Sequence, residues 1–246
     1  MNTYFTSQYW INHFKANALE QRVNWEVRPA LTIAELDTIK ASLQAWQLGE
    51  TSEGKHLIAA ATKYAHKIGD VAYIDAVKLF IKEEQKHGNN LGCYLDTIGV
   101  PRIKKDWGDS LFRKVRYYNT SMELWTLAVI VVESTAQIFY QALKDATECT
   151  LLKQICTDIL IDEAYHITFQ TERLAIIFDD KNAFSKWWRI TAYKYFFIAT
   201  SGLVWFAHRK LFKAGGNTFA TYRRKMELKY TKTLKIITER GEPMWV

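Results

Sequence analysis

The sequence predicts an all-α protein, and three observations support that prediction. The chain of 246 residues contains only three Pro and eleven Gly. Apolar residues recur at helical spacing over several long segments, whereas runs that alternate between apolar and polar residues are almost absent. The hydrophobic share of 48% and the charged share of 24% are ordinary for a globular protein, and the length allows one large domain or two small ones.

The first 32 residues are predicted to form an N-terminal arm. They mix aromatic and charged residues without a clear period, and Pro29 interrupts them. A short helix is expected near residues 6–16. Irregular chain that leans on the rest of the protein should follow it.

Four long helices are predicted within residues 33–180, which form the expected bundle. Thr32 and Glu35 have the spacing of a capping box, so the first helix should begin at residue 33, and Gly69 and Asp70 mark the break that ends it. Gly49 and Gly54 within it indicate either a local distortion with a close backbone approach, or a simple helix break near Gly49. The other three helices are expected at about residues 71–98, 120–146 and 149–178.

Residues 99–118 connect the second predicted helix to the third. The segment contains Gly99, Pro101 and Gly108 and is too long for a tight hairpin. A long crossover is therefore expected here, with a short helix near residues 110–118.

The C-terminal extension, residues 181–246, differs in composition from the preceding chain. It carries 14 Lys and Arg against 3 Asp and Glu, and it contains 14 of the 35 aromatic residues. Helices are expected at about residues 183–214 and 218–240, separated by Gly215 and Gly216. The apolar core of the extension, residues 195–207, is too short to span a bilayer as a helix.

Three interpretations of this extension remain open. It could be a pair of packing helices whose exposed faces are basic. It could be a docking surface for an anionic partner or for membrane headgroups, since mixed aromatic and basic residues suit such an interface. Nucleic-acid contact is the least favoured interpretation, because no RNA-binding motif is present.

Two copies of a short Glu-x-x-His motif are the candidate metal-binding elements of the sequence. Glu84 is followed three residues later by His87, and Glu163 is followed three residues later by His166. On a helix, positions i and i+3 share one face, so each pair offers a carboxylate and an imidazole to one metal ion. Two such pairs that face each other in a bundle predict a site for two metals.

One further Glu precedes each motif by about 30 residues. Glu133 ends an apolar run thirty residues before Glu163, where a buried carboxylate without a partner would be costly. Glu53 lies 31 residues before Glu84. The helical segments, or arms, that join these two residues to the predicted turn between them are 16 and 14 residues long. Glu50 would give arms of 19 and 14 residues, a mismatch of about 7 Å at 1.5 Å per residue, so Glu53 is preferred.

The complete pattern resembles that of the ferritin-like diiron-carboxylate superfamily. The resemblance covers roughly residues 33–178 and rests on Glu53, Glu84, His87, Glu133, Glu163 and His166. It implies a four-helix bundle with a long crossover that holds two iron ions, with manganese as an alternative. In this arrangement Glu84 and Glu163 could bridge the metals while His87 and His166 each bind one.

The resemblance also implies an activity. The first expectation is an O2-activating oxidase or oxygenase that acts on an organic substrate, with an external electron donor that the sequence does not identify. The alternative is a ferritin-like protein that binds metal without catalysis and handles iron or peroxide. A monomer or dimer is expected, because a basic appendage of 66 residues is hard to fit into a closed storage shell.

Two further residues lie close to the predicted ligands in sequence. His56 follows Glu53 by three residues and is either an extra ligand, a neighbour of the ligands, or a partly exposed side chain. Asp162 immediately precedes Glu163 and either orients an imidazole N–H or is a surface charge.

The three cysteines, Cys93, Cys149 and Cys156, form neither a C-x-x-C pair nor an even framework. A reducing compartment is the simplest interpretation. The N-terminus shows no secretory signal pattern, and a cytoplasmic location is expected.

Overall fold

The computed structural model describes residues 4–117 and 121–239, and every regular element in these ranges is a helix. The helices are α1 (Ser7–Asn17), α2 (Ile33–Glu50), α3 (Lys55–Ile68), α4 (Ala72–Thr97), α5 (Trp107–Tyr117), α6 (Met122–Asp145), α7 (Thr150–Asp179), α8 (Ala183–Ala214) and α9 (Phe219–Glu239). The all-α prediction is confirmed. The predicted helix ends at residues 118, 120 and 240 lie outside the described residues.

Local sequence signals explain where several helices begin. Thr6 caps α1 by accepting a hydrogen bond from the backbone of Tyr9. At the start of α2 the Thr32 side chain accepts from the backbone of Glu35, and the Glu35 side chain accepts from the backbone of Thr32. The predicted capping box is therefore present in full.

The first long helix of the bundle is broken rather than continuous. Helix α2 ends at Glu50, residues 51–54 turn away, and α3 begins at Lys55. Gly54 adopts a left-handed backbone with φ of 65°. A Cβ atom at this position would lie 2.5 Å from Cδ1 of Ile81, so both the backbone angle and the close packing require glycine. The structure therefore combines the two alternatives, because the helix breaks directly after Gly49 and Gly54 marks a close approach to α4.

Helices α6 and α7 form the most extensive pairing of the fold, and α4 packs on α1, α2, α3 and α7. Helices α8 and α9 pack on each other and on the bundle, with α8 against α2 and α6, and α9 against α6 and α7. Among the described residues, α6 is the one helix long and apolar enough to cross a membrane, and 78% of its apolar window is buried inside the protein. That burial is typical of the core helix of a bundle.

The apolar core falls into two clusters. Along α4, the buried apolar residues between positions 73 and 81 belong to one cluster, and those between positions 91 and 95 belong to the other. Between them lie Glu83 and His87, which are buried although both are polar. A polar layer inside an apolar bundle requires partners or a bound ion, and it marks the position of the candidate site.

Candidate metal centre

Four side chains from three helices bring donor atoms together at the centre of the bundle. Glu84 lies on α4, Glu133 on α6, and Glu163 and His166 on α7; one atom of each lies within 4.8 Å of the others. A second group consists of Glu50, Glu84 and His87, whose donor atoms satisfy the same distance limit. Glu84 belongs to both groups, so the two sets of donors adjoin.

The two imidazoles present Nδ1 to the cluster. Nδ1 of His166 lies 2.7 Å from Oε1 of Glu84 and 3.7 Å from Oε2 of Glu163. Nδ1 of His87 lies 3.8 Å from Oε1 of Glu163. The ring centroids are 5.7 Å apart. Each imidazole therefore directs Nδ1 toward the Glu of the other motif.

Several of these donor atoms are buried and have no well-oriented hydrogen-bond partner within the described part of the chain, and their close contacts are with one another. They are Oε1 of Glu84, both carboxylate oxygens of Glu163, and Nδ1 of His87 and of His166. Burying several carboxylates together without enough balancing positive charge costs several kcal/mol, by an order-of-magnitude estimate, so an arrangement of this kind calls for a cation. The donor set, carboxylate oxygens with two imidazoles, fits two divalent ions of iron or manganese better than zinc or copper.

The pKa shifts of the clustered side chains also indicate that the site favours a bound cation. Burial, followed by the neighbouring Glu84, raises the pKa of Glu50 to about 8. Burial also raises the pKa of Glu163 to about 7 and that of Glu133 well above its ordinary value, the latter with help from Glu163. Burial alone would lower the pKa of His166, but Glu84 and the other carboxylates outweigh it and raise that pKa. Without added positive charge, the carboxylates resist ionising together.

Each imidazole is held from behind by a carboxylate of the opposite motif. Nε2 of His87 lies 3.0 Å from Oδ2 of Asp162, and Nε2 of His166 lies 2.7 Å from Oε2 of Glu83. Burial would raise the pKa of Asp162, but the hydrogen bond to His87 and the nearby Asn17 and Lys86 hold it well below its usual range. A carboxylate behind a metal-binding imidazole fixes its tautomer and its direction.

Asp162 thus lies in the orienting position expected from the sequence, whereas Glu83 was missed. The signal for Glu83 was available, because an acidic residue immediately precedes the Glu of both motifs. Residues 83 and 162 each lie four positions before a motif His, on the same helical face. That relation could have predicted the pair.

The N-terminal arm contacts both of the carboxylates that hold the imidazoles. Nδ2 of Asn17, the last residue of α1, donates to Oε1 of Glu83 at 2.5 Å and to Oδ1 of Asp162 at 2.8 Å. Arg22 donates to Asp162 at 2.8 Å, and Lys86 reaches the same carboxylate at 3.0 Å. Asn17 therefore links the two carboxylates that hold the two imidazoles.

The preference for Glu53 over Glu50 is wrong in its geometry. The side chain of Glu53 is 70% exposed and pairs with Lys55, outside both donor groups. The arm lengths assumed a continuous helix, but α2 ends at Glu50 and the following turn points residue 53 outward. Glu50 is buried instead and accepts a hydrogen bond of 2.6 Å from the hydroxyl of Tyr140.

Gly88 explains how Glu50 reaches the site. A Cβ atom at Gly88 would lie 3.1 Å from the carbonyl carbon of Glu50, so a side chain there would crowd the end of α2. Glycine next to His87 thus permits close packing of α2 on α4. His56 is exposed in the first turn of α3 and lies outside both donor groups, although it lines the adjacent cavity.

A cavity of about 600 Å³ extends from the carboxylate layer between α6, α8 and α5. It is lined at the inner end by Glu50, Glu84 and Glu133. The walls are mostly apolar and include Trp46, Phe80, Trp125, Val129, Val132 and Val204. A space of this size and lining is typical of a binding site for a small organic molecule.

The fold and the carboxylate–imidazole layer together define a ferritin-like helical bundle with a candidate dinuclear metal centre. No protein-family model matches the sequence, and no curated protein matches it. The chain is similar in structure to a variant of an R2-like ligand-binding oxidase with a Mn/Fe cofactor, at a TM-score of 0.63 and 13% identity over 96% of this chain and 94% of that one.

A second variant, described with an Fe/Fe cofactor, also gives a TM-score of 0.63, at 15% identity and the same coverage. A third, with a Mn/Fe cofactor, gives 0.57 at 15% identity over 98% of this chain and 94% of that one. Likeness at this level of identity establishes the fold. The predicted ferritin-like bundle is confirmed.

Proposed function

We propose that this protein is a non-haem dinuclear metal-carboxylate oxidoreductase that uses O2 to oxidise an apolar organic substrate. The observation that supports it best is the cluster of buried carboxylate and imidazole donor atoms at the inner end of an apolar cavity. The structurally similar R2-like oxidases are described as ligand-binding and carry Fe/Fe or Mn/Fe cofactors.

In the proposed site, Glu50 and His87 would hold one metal ion, and Glu133 and His166 the other. Glu84, which belongs to both donor groups, and Glu163, which faces both imidazoles, would be available to either metal ion. Four carboxylates balance two divalent ions, which gives a neutral reduced site and satisfies the buried donors at the same time.

A dinuclear Fe or Mn/Fe centre, when bound, supplies the O2-dependent redox chemistry, and the protein supplies position and environment. Asp162 and Glu83 hold the imidazole Nε2 atoms and aim Nδ1 at the site. Tyr140 donates to Glu50 and fixes the direction of that carboxylate. The apolar wall keeps water away from the reacting groups.

The substrate class follows from the cavity. Its inner end is polar and its walls are apolar, so a largely apolar molecule would fit with its reacting atom near Glu50, Glu84 and Glu133. The alternative function, metal or peroxide handling without an organic substrate, gives this cavity no role.

The three cysteines are free in the structure. We therefore keep the proposal of a reducing, cytoplasmic location, and an external reductant would have to supply electrons.

The test is anaerobic loading with Fe(II) or with Mn(II) and Fe(II), followed by metal analysis and visible absorbance after O2 is added. We expect about two metal ions per chain and a new oxidised-centre band in the near ultraviolet to blue. Glu163→Gln should lose most of the metal and the band. Glu172→Gln is the matched control, because Glu172 is also buried on α7 but pairs with Trp10, outside the donor groups.

Equal metal content in wild type and Glu163→Gln would contradict the proposed centre. Two bound metals that do not react with O2 would favour the alternative function. Oxidation that proceeds equally well when the cavity is filled by a bulky substitution would remove the argument for an organic substrate.

A further inference from the structure

One face of α8 is apolar, exposed and continuous. Its members are Phe184, Trp187, Trp188, Tyr195, Ile198 and Phe206, each more than half exposed. At 100° per residue these six positions fall within a sector of about 100°, which adjoins the side of α8 that packs on the bundle. They extend over about 33 Å along the helix at 1.5 Å per residue. We call this surface the α8 stripe.

The charged side chains of helix α8 itself all have one sign. Helix α8 contains six Lys and Arg and no Asp or Glu. Arg209 and Lys213 continue the stripe toward the C-terminal end of the helix, and Lys194 flanks it; all three are exposed. Trp and Tyr bodies with Lys and Arg beside them are the composition of a helix that lies in a membrane interface.

The mouth of the cavity lies beside the α8 stripe. Ala199 and Leu203 line the cavity, are exposed, and occupy α8 next to Ile198. Across from them, Trp107 and Leu111 of α5 also line the cavity while 58% and 45% exposed. The apolar surface of the stripe therefore continues into the apolar wall that leads to the candidate metal centre.

We propose that the α8 stripe docks this protein on an anionic phospholipid bilayer, with α8 parallel to the membrane surface. The aromatic side chains enter the interface, and Arg209, Lys213 and Lys194 meet lipid phosphates. A second copy of the chain fits this face less well, because two surfaces of the same positive charge would meet.

Docking in this orientation places the cavity mouth at the membrane interface. An apolar molecule dissolved in the bilayer would then reach the cavity without crossing water. This consequence rests on the proposed function, whereas the docking itself depends only on the α8 stripe and its charges.

The test is flotation of the full-length protein with two kinds of vesicle, phosphatidylcholine alone and phosphatidylcholine with 30% phosphatidylglycerol. We expect binding to the anionic vesicles that weakens as salt is raised, and little binding to the neutral ones. Arg209→Ser with Lys213→Ser should weaken binding about 30-fold, at about 1 kcal/mol for each basic side chain near the surface. Trp187→Ser with Trp188→Ser should weaken it roughly 10-fold or more.

Two control pairs match these changes in type and exposure. Lys15→Ser with Lys82→Ser removes two exposed basic side chains from α1 and α4, and Leu19→Ser with Ile33→Ser removes two side chains that are 84% and 82% exposed. Both pairs should bind vesicles as the wild type does. Circular dichroism and metal content should be unchanged in all four, since every replaced side chain is exposed and lies outside the donor groups.

Three results would overturn the proposal. The first is no binding of the wild type to anionic vesicles. The second is equal weakening by the control pairs. The third is a change from dimer to monomer in the stripe variants, by analytical ultracentrifugation, with vesicle binding unaltered; that result would assign the face to self-association. None of these measurements needs activity, so failure here leaves the proposed function standing.

Discussion

Replacing Asn17 with leucine is expected to loosen the metal centre without altering any proposed ligand. The Asn17 amide donates to both Glu83 and Asp162, the carboxylates that hold the two imidazoles. Asp162 keeps Arg22 and Lys86 in the variant, whereas Glu83 keeps His166 but loses its amide donor, and Arg22 loses Oδ1 of Asn17 as an acceptor. A hydrogen bond to a charged group contributes about 1.5–3 kcal/mol, and this is the expected fall in the free energy of unfolding of the metal-free protein.

Metal binding should weaken as well, because Glu83 is the group that aims His166. Loss of such an orienting contact typically lowers metal affinity by 10- to 100-fold. The assay is anaerobic competition of Fe(II) or Mn(II) between the protein and a chelator, run beside urea unfolding of the metal-free protein. Asn12→Leu is the control, since Asn12 lies on the same helix but is exposed and bonds with Gln8 at the surface.

The decisive result is the comparison of the two measurements. If Asn17→Leu destabilised the metal-free protein but bound metal with wild-type affinity and gave a wild-type spectrum, Asn17 would have only a structural role. The inferred link between the arm and the imidazoles would then be wrong.

Four other perturbations have defined outcomes. Glu50→Gln should remove about one metal ion per chain by metal analysis, whereas Glu53→Gln should remove none, because Glu53 is exposed. Burial raises the pKa of Glu172 from its ordinary value of 4.5 to about 7. The free energy of unfolding should therefore fall as pH rises from 4.5 to about 7, because only the unfolded chain ionises freely in that range. With allowance for solvent screening, this fall in the free energy of unfolding is on the order of 1–2 kcal/mol, and Glu172→Gln should remove it. Urea unfolding at pH 4.5 and pH 7 measures the difference. Burial lowers the pKa of His208 to about 4, so the folded state resists protonation. The free energy of unfolding should therefore fall by up to about 3 kcal/mol as pH falls from about 6.5 to 4. His208→Gln should remove this fall in the same urea assay. Ala128→Phe should fill the cavity, keeping the metal content but weakening the binding of an apolar fluorescent probe.

Features governed by local rules could be predicted from the sequence. The capping box of Thr32 and Glu35 depends on neighbouring residues, and the start of α2 follows from it. The i, i+3 spacing places Glu84 and His87 on one face whatever the rest of the chain does, and the same holds for Glu163 and His166. These four residues do lie in the donor groups.

Features governed by distant contacts could not be predicted. Asn17 lies 145 residues from Asp162 in the sequence, and no periodic pattern joins the arm to α7. The crossover helix α5 lines the cavity through Trp107 and Leu111, but their aromatic and aliphatic character suits ordinary packing equally well. Such contacts arise only when the chain is folded.

The error at Glu53 has a physical cause that also bears on function. An unbroken helix from α2 through α3 would have presented residue 53 to α4, as the arm lengths assumed. The left-handed turn at Gly54 instead ends α2 at Glu50 and carries the chain aside. Gly49, Glu50, Ser52 and Gly54 from this break all line the cavity. The break between α2 and α3, which made the prediction of Glu53 wrong, thus brings the Glu50 carboxylate to the inner end of the cavity. It also places small residues where larger side chains would fill the cavity. A departure from local regularity at a functional site is expected, because there the geometry of the site outweighs helix propensity.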